Sequence, residues 1–62
     1  MKEKIQQRII DYIAAGFTNR HDFPGEYVLL INPKTFDAVR VYEDGQIWAT
    51  EPRTGAYVKV KA

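Results

Sequence analysis

An α+β fold, with one N-terminal amphipathic helix packed on a four-stranded antiparallel β-meander, follows from three features of this 62-residue sequence. Apolar residues near the start repeat with helical spacing. The remainder breaks into short runs rich in Val, Ile, Tyr and Trp. Each link between those runs is short and carries Pro, Gly or both. Parallel strands need a long crossover, so links this short predict antiparallel neighbours.

The helix is expected from about Lys2 to Ala15. Ile5, Ile9, Tyr12 and Ile13 share one face, Ile10 lies on its flank, and Glu3, Gln6, Gln7, Arg8 and Asp11 fill the other positions. Gly16 suits the left-handed position just past a helix end, and Phe17 can then fold back on the last turn. Thr18 to Gly25 reads as a linker, with one short helical turn capped by Thr18 and with Phe17 and Phe23 as anchors into the core. Pro24-Gly25 is a turn signal. Strands are expected near 26–31, 37–42, 46–50 and 56–61, and the whole chain, 1–62, as a single small domain.

The middle hairpin predicts the two faces of the sheet. A three-residue Glu43-Asp44-Gly45 loop, with Gly45 in the left-handed conformation, sets Val41 opposite Ile47 and Val39 opposite Ala49. A two-residue Asp44-Gly45 loop would slip the register by one and move Trp48 to the Val39/Val41 face. The first register keeps the aliphatics together and is preferred. The expected core is Ile5, Ile9 and Ile13 from the helix, Val39, Val41 and Ile47 from the hairpin, and Val58 and Val60 from the last strand. The opposite face then gathers Arg40, Tyr42, Trp48, Tyr57, Lys59 and Lys61. The run Val28-Leu29-Leu30-Ile31 does not alternate, although a strand buried on one side should. Either the small sheet twists enough to cover both sides, or another chain covers the second one.

Composition excludes much chemistry. Neither Cys nor Ser occurs, so disulfides, thiolate metal sites and Ser or Cys nucleophiles are ruled out. With one histidine, His21, a zinc site lacks ligands, and no segment offers the closely spaced oxygens of a calcium loop. His21 and Asp22 are adjacent, with Asp11 a conceivable third member. A lone loop histidine is nevertheless far more often solvated or a structural hydrogen-bonder. The carboxylates Glu43, Asp44 and Glu51 lie in turns, and each glycine has a turn or helix cap to explain it rather than a phosphate. The expectation is a non-enzymatic protein with no cofactor, no metal and no small-molecule substrate.

Nine Lys and Arg against eight Asp and Glu leave a net charge of +1, too little for a bulk electrostatic nucleic-acid or membrane binder. The N-terminus lacks the apolar stretch of a signal peptide, and the longest apolar run, Tyr27 to Ile31, is far short of a membrane span. A cytoplasmic location is expected. Shortness, together with the lack of Ser and Cys, suggests the compact accessory proteins of viruses or mobile elements, although no motif supports that origin.

A domain of about 60 residues buries only roughly 60% of its unfolded surface, so association with itself or a larger protein is a natural aid. The candidate partner-binding residues are Arg40, Tyr42, Trp48, Tyr57, Lys59 and Lys61. Tyr, Trp and Arg are the usual anchors of protein interfaces. The alternative is single-stranded nucleic acid, with bases stacked on the aromatics and phosphates met by Arg and Lys.

Overall fold

Residues 3–60 are described by a computed structural model. The helix α1 runs from Glu3–Ala14 and is followed by β1 (Asn19–Phe23), β2 (Tyr27–Ile31), β3 (Ala38–Tyr42), β4 (Ile47–Thr50) and β5 (Tyr57–Lys59). All strands lie in one antiparallel sheet in chain order, so the meander has five strands where the sequence predicts four.

The helix lies over one face, here the inner face, as the periodicity requires. Ile5 and Ile9 pack on Val28, Leu30, Val39, Val41 and Ile47, while Tyr12, Ile13, Phe17, Ala49 and Val60 close the margin half-buried. The helix ends as expected. Phe17 N–H donates to the Tyr12 carbonyl and Gly16 N–H to the Ile13 carbonyl, which is the Schellman pattern. Gly16 takes φ +113°, and Phe17 meets Tyr12 edge-to-face with 5.6 Å between ring centroids.

Register follows the three-residue hairpin. Gly45 has φ +95°, Gly45 N–H donates to the Tyr42 carbonyl, and Tyr42 N–H donates to Gln46. Val41 stands opposite Ile47, Val39 opposite Ala49 and Arg40 opposite Trp48. At the far end of this ladder the Thr50 hydroxyl replaces a backbone group, accepting from Ala38 N–H at 2.9 Å and donating to the Ala38 carbonyl at 3.3 Å.

Three expectations are corrected. Residues 19–23 are a strand, not a linker with a helical turn. Pro24-Gly25 closes a hairpin in which Phe23 stands opposite Tyr27, and β1 supplies the second hydrogen-bonding neighbour that a central β2 needs. Every residue of β1 is exposed, so it carries no inward periodicity to read, and Phe23, at 39% exposure, is not a core anchor. In the last strand Val58 stands opposite Ala49, on the inner face as expected, yet it is 46% exposed. The helix packs on β2 and β3, and its cover does not extend to this edge.

No helix among the described residues is long and apolar enough to cross a membrane.

Candidate functional site

Side chains alternate across a strand, so pairing fixes the outer face, the one turned away from α1. β1 gives it Asn19, His21 and Phe23; β2 gives Tyr27, Leu29 and Ile31; β3 gives Ala38, Arg40 and Tyr42. Trp48 and Thr50 come from β4, and Tyr57 and Lys59 from β5. Five of the six candidate residues, Arg40, Tyr42, Trp48, Tyr57 and Lys59, therefore share this face. Lys61 lies outside the described residues.

The aromatic rings of the first three strands lie against one another. Phe23 meets Tyr27 with 5.0 Å between centroids, and Tyr27 meets Tyr42 at 5.2 Å. Arg40 is the centre of the face. Its Cζ lies 4.9 Å from the Tyr27 ring centre and 4.1 Å from that of Tyr57, so the guanidinium bridges from β2 to β5. The long side chain crosses β4 to reach Tyr57, whose opposite residue there is the small Thr50.

Arg40 Nε is shielded from solvent and meets no acceptor among the described residues. Cation–π attraction to the rings offsets part of that cost. The Tyr42 side chain above all, with Tyr57 and Tyr27, raises the guanidinium pKa above its ordinary value against the lowering effect of desolvation. Arg40, like any arginine, is a permanent cation. Trp48, its direct cross-strand neighbour, instead donates its indole N–H to Gln46 Oε1 at 3.1 Å.

Sequence reasoning missed the contribution of β1 and of Tyr27 on β2. The run from Tyr27 to Ile31 held the signal, because its outward residues Tyr27, Leu29 and Ile31 are all half-buried here. Phe23, Tyr42 and Arg40 lie against Tyr27, so part of this second apolar set is covered from within the sheet. Among the described strand residues this face carries Arg40, Lys59 and His21 and no carboxylate.

Four of the acidic side chains are engaged elsewhere. Asp44 Oδ1 accepts from Gln46 N–H inside its turn, and Glu51 Oε2 accepts from the Thr54 hydroxyl. Asp11 accepts from Gln7 on the helix. Asp22 points to the opposite face from His21 and pairs with Arg20 at 2.7 Å, which prevents a His21–Asp22 dyad. Through that bond Arg20 holds the Asp22 carboxyl below its ordinary pKa. No group of three or more His, Cys, Asp or Glu side chains among the described residues is placed to hold a metal ion.

No family model matches the chain, and neither a curated protein nor a solved structure matches it.

Proposed function

We propose that the outer sheet face docks another protein, and that the chain is a non-enzymatic interaction module. The partner surface presents apolar side chains beside a carboxylate. What carries this reading is the engagement of the rings. Tyr27 packs on both Phe23 and Tyr42, while Arg40 lies over Tyr27 and Tyr57. Single-stranded nucleic acid needs free ring faces on which bases can stack. A protein partner needs only a preorganised apolar surface with fixed charges, and half-buried side chains held by their neighbours lose little entropy on binding. Arg40 and Lys59, with no acid beside them on the strands, favour a partner carboxylate.

Capture of partners on the immobilised protein, with and without nuclease, tests this together with titration of labelled single-stranded DNA and RNA at low salt. The expected result is a nuclease-resistant protein complex that Trp48→Ala weakens by about 2 kcal/mol or more. Lys59→Glu should act mainly on the rate of encounter. Micromolar nucleic-acid binding with a steep salt slope, lost in Trp48→Ala, would replace this reading with the nucleic-acid one.

A further inference from the structure

We propose that β1 is a self-pairing edge, on which a second copy of this chain docks antiparallel about a dyad at His21 and continues the sheet. The inference does not depend on what the outer face binds.

Among the described residues β1 is a terminal strand of the sheet. Asn32 N–H donates to the Asp37 carbonyl at 2.8 Å, so on β2 the alternate residues Leu30 and Val28 turn their backbone groups to β3. Tyr27, Leu29 and Ile31 turn theirs to β1, where Phe23, His21 and Asn19 stand opposite. The N–H and C=O groups of Arg20 and Asp22 therefore point outward from the free edge, an open template for another strand.

The side chains on that template are self-complementary. With the dyad at His21, Arg20 of each chain stands opposite the partner's Asp22. The two residues that expose backbone groups thus meet each other, and each such pair exchanges both of its hydrogen bonds. Arg20 and Asp22 already form a neutral pair within the strand, Nε to Oδ1 at 2.7 Å and Nη2 to Oδ2 at 3.2 Å. Both side chains are about half exposed, at 45% and 54%. On pairing, each guanidinium lies between its own carboxylate and the partner's, so the charges alternate around the joint.

A second feature points to the same edge. Ile10 is 58% exposed on the helix flank, and it borders a groove shared with Gln6, Ile9 and Arg20. That groove lies between the helix flank and β1, beside the edge on which a second copy would dock. The opposite edge of the sheet lacks such complementarity. β5 is three residues long, and its charged residue is Lys59. Two such edges would meet as like charges.

The test uses two charge-reversed chains. Arg20→Asp leaves two acids on the edge, and Asp22→Arg leaves two bases. Both positions are exposed, and melting followed by circular dichroism verifies the fold of each variant. In sedimentation equilibrium the unaltered protein should dimerise, and each variant alone should dimerise at least about tenfold more weakly, since both cross-strand pairs turn repulsive. An equimolar mixture should recover association as a heterodimer, identified by native mass measurement with one chain isotope-labelled. Trp48→Ala should leave dimerisation unchanged, which separates this edge from the outer face. An unaltered protein that stays monomeric to millimolar concentration overturns the proposal. So do variants that dimerise as well as the unaltered chain, a mixture that stays monomeric, or loss of the dimer in Trp48→Ala.

Discussion

Replacing Ile9 with aspartate sets a buried charge where the domain has nothing to answer it. Ile9 is 2% exposed, and around it in the core are Ile5, Val28, Leu30, Val39, Val41 and Ile47, none of which can donate a side-chain hydrogen bond. A carboxylate confined there costs several kcal/mol. Typical stabilities of about 0.05–0.15 kcal/mol per residue give a chain of this length roughly 3–9 kcal/mol in all. Ile9→Asp should therefore leave the chain largely unfolded at neutral pH. Ile9→Val removes one methylene and should cost about 0.5–1.5 kcal/mol, and Ile9→Ala about 2–5 kcal/mol. Ile10 provides the control, because it is the next residue yet 58% exposed. In dilute monomer Ile10→Asp should change stability by less than about 0.5 kcal/mol. Urea unfolding at pH 7, followed by circular dichroism and Trp48 fluorescence, measures the series. A cooperative transition for Ile9→Asp with a near-native midpoint would refute the assigned helix face.

Two further outcomes test the ends of the architecture. Gly16→Ala should cost about 1–2 kcal/mol, because the new side chain sits at φ +113° with its Cβ 3.1 Å from Asn32 Nδ2; thermal melting measures it. Thr50→Val keeps the shape of the side chain but leaves the Ala38 N–H and C=O without the hydroxyl, for a loss of about 1–2 kcal/mol in urea unfolding and faster exchange of the Ala38 amide.

What could be read from the sequence divides along physical lines. The register of β3 and β4 was legible because it keeps Val39, Val41, Ile47 and Ala49 on one face, whereas a single slip would have moved Trp48 among them. The helix end was legible because Gly16 suits the left-handed position just past it. β1 was not, since its side chains bury nothing and its pairing is a matter of backbone hydrogen bonds to β2. Its two indirect signals lay elsewhere, in the unalternating run of β2 and in the turn at Pro24-Gly25. Val58 shows a different limit. Alternation assigns a residue to a face but does not say how far the covering helix extends over it.

Arg40 shows the same limit on the outer face. Considering only direct cross-strand partners pairs it with Trp48, whereas the long side chain takes diagonal neighbours, Tyr27 on one side and Tyr57 beyond β4 on the other. Of the candidate site, the residue types and the face were thus legible, and the internal contacts were not.

Charge placement separates the two surfaces proposed above. Face-to-face association of two copies would bring Arg40 and Lys59 of one chain against the same residues of the other, with no strand carboxylate on either side. That arrangement is repulsive and would desolvate cations without partners. The edge of β1 has the opposite character, because Arg20 and Asp22 cancel within the chain and match across a dyad. Pairing there extends the sheet while leaving each outer face uncovered, so two copies would present their Arg40-centred surfaces side by side to a partner. A partner carrying two matching acidic and apolar patches would then gain from the raised effective concentration of the second site, without any new contact type.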